Sequence, residues 1–205
     1  MNTQNKSELR AKIKLLRENL PIEIQQSVAL KIKQSLINTE FFKQSKNIAV
    51  YSTMRGEVDT LPIIEAAWNA NKNCYLPILR RDEKKIPYLT FGRFNKDSKL
   101  IKNKYGIFEP TVPEIEQLYG KNLDLIITPL VAFDKNCNRL GYGGGYYDRT
   151  FAFKNNVQNK NICFLPILIG IAYELQEIEN LAIEPWDVPL DYVLTENKLF
   201  ERFLR

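Results

Sequence analysis

The chain has 205 residues, of which 44% are hydrophobic and 26% are charged, and its formal net charge at pH 7 is +5. This composition is ordinary for a soluble globular protein, and no apolar run approaches the roughly 20 residues of a membrane-spanning helix. The N-terminus lacks the apolar stretch of a secretory signal. We therefore expect one domain over residues 1–205, a cytoplasmic monomer with no membrane partner.

The first predicted elements are two amphipathic helices. One runs roughly over 8–19 with Ser7 as its N-cap, and the other begins near Pro21 and ends at about residue 38. The first helix also carries a basic stripe, formed by Lys6, Arg10, Lys14 and Arg17. Taken alone, such a stripe is more typical of a solvated helix face than of an anion site.

Short β-rich runs then alternate with helical patterns. Strands are predicted over 47–53, 73–79, 86–94, 123–134, 162–173 and 191–196, helices over 60–72 and just after residue 145, and irregular chain between 95 and 110. The runs 123–134 and 162–173 are apolar almost throughout, as in strands covered on both faces. The alternation indicates an α/β fold with a mainly parallel sheet and helices on both faces, with the two N-terminal helices packed on the same body.

The segment 139–149, RLGYGGGYYDR, contains four glycines within five residues. It follows a buried strand and precedes a predicted helix, so its bare backbone suits the close approach of a phosphate. A P-loop pattern is absent, and the dinucleotide pattern G-x-G-x-x-G fails at Tyr146. A flexible turn is the alternative, but an aspartate and two arginines beside the glycines favour a phosphate and metal site.

The sequence contains no histidine, and this restricts its chemistry. A Ser-His-Asp triad, a Cys-His dyad and an HExxH zinc helix are excluded. Cys74, Cys137 and Cys163 are odd in number and widely spaced, which argues against a disulfide framework or a zinc site. A bound metal would have oxygen ligands, and that favours Mg²⁺.

The motif PLVAFD…NRLGYGGGYYDR resembles the signature of 5-formyltetrahydrofolate cyclo-ligases, also called 5,10-methenyltetrahydrofolate synthetases. Shorter stretches resemble other motifs of that family in the same order: KSELRAKIKLLR, AVYSTMRGEVDT, YGIFEP, GIAYELQ and EPWDVPLDYVLTE. One position departs, because the family usually has glycine where this chain has Cys137. We expect Asn136 or Asn138 to take the left-handed conformation that this glycine would supply.

The resemblance implies a reaction. Enzymes of this family use ATP and Mg²⁺ to convert 5-formyltetrahydrofolate into 5,10-methenyltetrahydrofolate, with release of ADP and phosphate. The formyl oxygen on N5 is a poor leaving group, and its phosphorylation allows N10 to close the ring. The protein then mainly positions groups and neutralises phosphate charge, which suits a chain without histidine.

The resemblance also implies site residues. Those for ATP are Lys6, Arg10, Arg139, Leu140, Gly141, Tyr142, Gly143, Gly144, Gly145, Tyr146 and Tyr147. Those for the folate are Glu57, Tyr142, Gly143, Gly144, Gly145 and Tyr146, and those for the metal are Asp148 and Asp187. A carboxylate at position 57 can accept hydrogen bonds from the amino-pyrimidine edge of a pterin. Tyr51, Tyr146 and Trp186 are candidates to pack against the folate rings, although a core role is the alternative for each.

Other interpretations remain open for single residues and for the whole chain. Without the resemblance, Glu57 could be a loop charge or helix cap, Asp148 a helix N-terminal charge, and Asp187 a turn residue. Another ATP-dependent ligase or small-molecule kinase could share the same scaffold. The positive charge and 11% aromatic content also raise RNA binding. However, no RNP-type or KH-type motif stands out and the basic residues are dispersed, so we expect no nucleic-acid partner.

Overall fold

The computed structural model describes residues 5–155 and 165–202. Within these residues the helices are α1 Lys6–Glu18, α2 Ile22–Ile37, α3 Glu40–Gln44, α4 Leu61–Asn69 and α5 Tyr146–Phe151. The strands are β1 Asn47–Ala49, β2 Asn73–Arg81, β3 Pro87–Phe94, β4 Leu100–Lys102, β5 Phe108–Pro110, β6 Leu118–Tyr119, β7 Leu125–Thr128, β8 Ala132–Phe133, β9 Arg139–Leu140, β10 Ile167–Ile171, β11 Tyr192–Leu194 and β12 Leu199–Glu201. None of the helices in this part of the chain is long and apolar enough to cross a membrane.

Eight strands form one sheet in the order β12-β11-β10-β7-β1-β2-β3-β6. The five central strands, from β11 to β2, pair in parallel. The outer strands β12, β3 and β6 pair antiparallel. This mixed, mostly parallel sheet confirms the predicted α/β class.

The sheet is covered on both faces because its central strands β7 and β10 are almost entirely apolar. In β7, Leu125 and Ile127 pack into the core beneath α2 and α4, whereas Ile126 packs into the core beneath α5. Alternating side chains along a strand point to opposite faces, so a run without polar interruption fits only a doubly covered strand. The prediction of helices on both faces is therefore confirmed.

The two N-terminal helices pack on the same body in different places. Leu9 and Ile13 of α1 lie against the β8–β9 hairpin, and α2 lies on the sheet. The prediction that Ser7 caps α1 is wrong. Asn5 is the N-cap, and its side-chain oxygen accepts hydrogen bonds from the Ser7 backbone N–H at 3.0 Å and the Ser7 hydroxyl at 2.7 Å. Asparagine and serine are comparable caps, so propensity alone could not separate them.

Several predicted strand boundaries are also corrected. The run 123–134 is two short strands, because Pro129 follows β7 and has no N–H to continue a ladder. The run 47–53 is a strand only over β1, and residues 162–164 of the last long run lie outside the described residues. The segment 95–110, predicted irregular, contains the β4–β5 hairpin. Its turn depends on Asn103, whose side-chain oxygen accepts from the Tyr105 and Ile107 N–H groups.

Cys137 itself takes the left-handed conformation, with φ at +60°, so the prediction for Asn136 or Asn138 is wrong. The neighbours are held by Asp134, whose Oδ1 accepts from the N–H groups of Asn136 and Asn138. The Cys137 side chain is fully buried, and its Sγ lies 3.6 Å from the Phe200 carbonyl oxygen. Packing of the thiol thus holds a turn that glycine would form without strain.

Candidate active site

The candidate site lies at a switch point of the sheet. Strand β2, which follows β1 in the chain, pairs with one edge of β1, and β7 pairs with its other edge, followed by β10, β11 and β12. The loops that leave the carboxyl ends of β1 and β7 therefore diverge and open a crevice, which is where α/β proteins bind ligands. Glu57 lies in the loop after β1, and Leu130 lies after β7.

The glycine loop 141–145 runs beside this crevice between β9 and α5. Gly143 and Gly145 have φ angles of +95° and +67°, whereas Gly141 and Gly144 do not lie in the left-handed region. Gly145 is the N-cap of α5, a helix of only six residues. The loop conformation therefore depends on two of its four glycines, and a side chain is strained at those two.

Glu57 and the glycine loop are joined by Tyr142. The Tyr142 hydroxyl donates to Glu57 Oε1 at 2.5 Å, while its backbone belongs to the loop. The same hydroxyl accepts from Arg17 Nη2 at 2.7 Å. Tyr142 remains 39% exposed, so its ring is accessible although its hydroxyl is bonded. Tyr142 thus joins the glycine loop to the Glu57 carboxylate.

The Glu57 carboxylate is buried, and burial raises its pKa. Hydrogen bonds from the Tyr142 hydroxyl and the Met54 N–H oppose that rise, as do the charges of Arg17 and Lys14. The carboxylate is thus held in a fixed orientation beside the crevice, and its partner Tyr142 is accessible to solvent. A carboxylate held in this way is suited to binding hydrogen-bond donors of a ligand. The interpretation of Glu57 as a loop charge or helix cap does not fit this burial.

The basic stripe of α1 faces the loop rather than bulk solvent. Arg10 Nε donates to the Gly141 carbonyl oxygen at 2.7 Å, and Lys14 Nζ lies 4.8 Å from the centre of the Tyr142 ring. Arg17 is 1% exposed, and its guanidinium donates to the Arg55 and Leu130 carbonyl oxygens on either side of the crevice. The helix therefore contributes cations along the whole length of the site.

The two candidate metal ligands lie together at the other end of the loop. The Val188 N–H, next to Asp187, donates to Asp148 Oδ1 at 3.2 Å. Asp148 is also paired with Arg139 at 2.7 Å, and Asp187 lies 3.8 Å from Lys6 Nζ. Across residues 5–155 and 165–202 there is no group of three or more acidic or cysteine side chains that could hold a metal. A metal here would thus have at most these two carboxylates from the protein.

A profile of the 5-formyltetrahydrofolate cyclo-ligase family matches residues 2–196. The chain belongs to the 5-formyltetrahydrofolate cyclo-ligase family. The 5-formyltetrahydrofolate cyclo-ligase of Haemophilus influenzae is 43% identical over 194 residues, covering 95% of this chain and 99% of that relative. The corresponding Escherichia coli K12 protein is 34% identical over 193 residues, covering 92% of this chain and 99% of that protein.

Solved structures agree with the family assignment. The solution structure of Aquifex aeolicus 5,10-methenyltetrahydrofolate synthetase superposes with a TM-score of 0.77 at 31% identity, covering 98% of this chain and 96% of that one. Membership in the cyclo-ligase family makes the chain an enzyme of the ligase class with a role in folate metabolism.

Within the cyclo-ligase framework, some predicted site residues have buried side chains. Leu140 is 3% exposed and packs against α1, so only its backbone is near the loop. The Arg139 side chain is 6% exposed, and its guanidinium lies over the Tyr147 ring as well as beside Asp148. Tyr51 is 3% exposed and its hydroxyl donates to the Val58 carbonyl oxygen. By contrast, Trp186 is 67% exposed.

The contacts that Arg17 makes across the crevice were not predictable from the sequence. Arg17 was visible as a member of the basic stripe, but its partners lie 38 and 113 positions away in the sequence. Its position at the end of the stripe, in the last turn of α1, is the only sequence signal. The two cysteines within the described residues add no nucleophile, because burial raises the pKa of Cys74 to about 12 and of Cys137 to about 11.

Proposed function

We propose that the enzyme converts 5-formyltetrahydrofolate into 5,10-methenyltetrahydrofolate in a reaction that consumes ATP, requires Mg²⁺ and releases ADP and phosphate. The observation that carries this proposal is Tyr142, which connects a glycine loop suited to phosphates with a buried carboxylate suited to a pterin. ATP bound at the glycine loop and 5-formyltetrahydrofolate bound at Glu57 would have their reacting groups next to Tyr142.

We assign part of the folate ring system to a cleft near the Glu57 loop. A cavity of about 170 Å³ opens beside the Glu57 loop, lined on one side by Thr53 and Asp59 and on the other by Phe94 and Phe108. This volume is below the usual range for a complete drug-sized ligand, so the cleft would hold part of the folate, with the remainder outside. Tyr51 also lines the cleft, although most of its ring is in the core.

In the proposed reaction, the formyl oxygen attacks the γ-phosphorus of ATP. The bond from that phosphorus to the β–γ bridging oxygen breaks, and its electron pair leaves with ADP. N10 then attacks the activated formyl carbon and loses its proton, and the carbon–oxygen bond breaks as phosphate leaves. Neither step needs a protein nucleophile, which agrees with the absence of histidine and the raised thiol pKa values.

The protein's part is to hold charges in place. Arg10 fixes the Gly141 carbonyl, so the loop that would face the phosphates is tied to α1. Glu57 would accept from the pterin, with its orientation set by the Met54 N–H and Tyr142. Lys6 and Arg10 would contact the nucleotide as cations.

Asp148 and Asp187 fit Mg²⁺. In each, the hydrogen bonds within the described residues involve a single carboxylate oxygen, Oδ1 of Asp148 and Oδ2 of Asp187, which leaves the other oxygen for a cation. Magnesium commonly takes one or two carboxylates and completes its shell with phosphate oxygens and water. When bound, the ion would neutralise charge on the ATP phosphates.

We predict that Asp148→Asn and Asp187→Asn each lower turnover at least about tenfold and raise the Mg²⁺ concentration for half-maximal rate, because a metal ligand is lost. Turnover at varied Mg²⁺ measures this. The matched control is Asp191→Asn, which removes a carboxylate paired with Lys154 at 2.6 Å, at the amino ends of β10 and β11. A Mg²⁺ requirement unchanged in both variants would remove them from the metal site.

The activity is tested by mixing the purified protein with 5-formyltetrahydrofolate, ATP and Mg²⁺ and following the absorbance of the methenyl product. We expect product only when all components are present. Leaving out ATP or adding a chelator should each abolish it. Product formed without ATP, or none in the complete mixture, would contradict the proposal.

A further inference from the structure

The Lys14 ammonium is surrounded by other cations of the site and has no carboxylate partner within the described residues. Burial and three neighbouring cations, Arg55, Arg17 and Arg10, lower its pKa, and the Glu18 carboxylate opposes them. No carboxylate within residues 5–155 and 165–202 lies within ion-pair distance of Lys14 Nζ. Like charges held together without an anion destabilise the chain, so this arrangement fits a site that becomes neutral when an anion binds.

The neighbours of Lys14 already have partners. Arg10 is hydrogen-bonded to the Gly141 carbonyl, and Arg17 is bonded to the Tyr142 hydroxyl and to two carbonyls. Lys14 lies between them on the same helix face, and its contact is the Tyr142 ring, at 4.8 Å. An ammonium over a tyrosine ring keeps its three N–H donors for another acceptor.

The position of Tyr142 indicates which anion this is. Its hydroxyl marks the Glu57 end of the site, and its backbone marks the glycine loop. A cation over the ring between them lies where a phosphate from the loop side would meet a formyl group from the Glu57 side. We propose that Lys14 is a catalytic residue that binds the phosphoryl group during its transfer to the formyl oxygen and the departure of phosphate from the ring-closure step.

This inference rests on the proposed function and adds a role that the family motifs did not supply. Negative charge on the transferred group and on the leaving phosphate is greatest in these two steps. A fixed ammonium stabilises both, so its effect falls on kcat more than on the binding of either substrate. Proton transfer is not involved, since N10 can release its proton to water.

The test compares Lys14→Gln with Lys14→Arg, and with Lys12→Gln as a control at an exposed position of the same helix. In Lys14→Gln we expect kcat to fall roughly 100-fold while the KM values for ATP and 5-formyltetrahydrofolate change less than about threefold. Lys14→Arg keeps the charge and should lose less than about tenfold. Lys12→Gln should match the wild type, and melting temperatures show whether each variant is folded.

Three results would overturn the role of Lys14: wild-type kcat in folded Lys14→Gln, a loss confined to KM, or equal losses in the glutamine and arginine variants. The last would mean that packing on Tyr142, not charge, is what matters. A wild-type chain that forms no methenyl product would overturn the proposed function itself, and with it this inference. The two failures are therefore distinguishable in one set of assays.

Discussion

Alanine at Gly143 or Gly145 should lower turnover tenfold to a hundredfold, with each variant adding roughly 1.4–2.7 kcal/mol to the barrier. Both glycines have positive φ angles. At Gly143 an added Cβ would stand 3.7 Å from the Arg10 guanidinium, in the space where we place a phosphate oxygen. At Gly145 it would displace Arg149, which donates to the Gly144 carbonyl at 2.9 Å. Turnover and the shift in melting temperature with Mg-ATP measure both effects.

Gly106→Ala is the control for backbone strain. Gly106 has φ at +79° in an exposed turn, and an added Cβ there meets nothing within 4 Å. It should show a similar change in melting temperature without Mg-ATP, and a full shift with it. Gly144→Ala should have a smaller effect than its neighbours because its φ is not positive. If Gly143→Ala and Gly145→Ala keep wild-type turnover and the full ATP-induced shift, the loop is a turn and not a phosphate cradle.

Glu57→Gln should weaken the binding of 5-formyltetrahydrofolate at least about tenfold and leave ATP binding nearly unchanged. A charge-assisted hydrogen bond in a buried position contributes roughly 1.5–3 kcal/mol, and the amide keeps the shape without the charge. Arg10→Ala should do the reverse, because it releases the glycine loop through Gly141. Calorimetry with each ligand alone measures the two affinities separately.

Asp124→Asn is the matched control for Glu57→Gln. Asp124 also accepts backbone N–H groups, from Lys46 and Asn47 at 2.8 Å each, but at the amino ends of the strands, on the opposite edge of the sheet. It should leave both affinities unchanged even where stability falls. Equal losses of ATP and folate affinity in Glu57→Gln and Arg10→Ala would show that the two ends of the site are wrongly assigned.

Much of the fold followed from local pattern. The nearly continuous apolar runs that contain β7 and β10 predicted doubly covered strands because apolar side chains lie on both faces of each strand. Predicted strand boundaries were wrong where a single residue ends a strand or forms a turn. Pro129 ends β7, and Asn103 organises a hairpin turn between two strands of only three residues each, which are too short to show an alternating pattern.

The site was harder to predict because its contacts are long-range. The glycines and acidic residues were visible in one short segment, but the Tyr142–Glu57 hydrogen bond joins positions 85 apart. Likewise, a basic stripe on α1 could face solvent or ligand, and only its packing against β8–β9 turns it toward the loop. At Cys137, long-range packing also overrides a local preference. Its left-handed conformation is disfavoured locally and is fixed by burial of its side chain.

The central claim is that the formyl oxygen itself is phosphorylated along the surface between Glu57 and the glycine loop. The most direct measurement uses 5-formyltetrahydrofolate labelled with ¹⁸O in the formyl group, with unlabelled ATP and water, and mass analysis of the released phosphate. We predict one ¹⁸O atom in each phosphate formed with the methenyl product. Unlabelled phosphate, with the ¹⁸O released as water, would show that ATP hydrolysis and ring closure are separate events and would contradict this account.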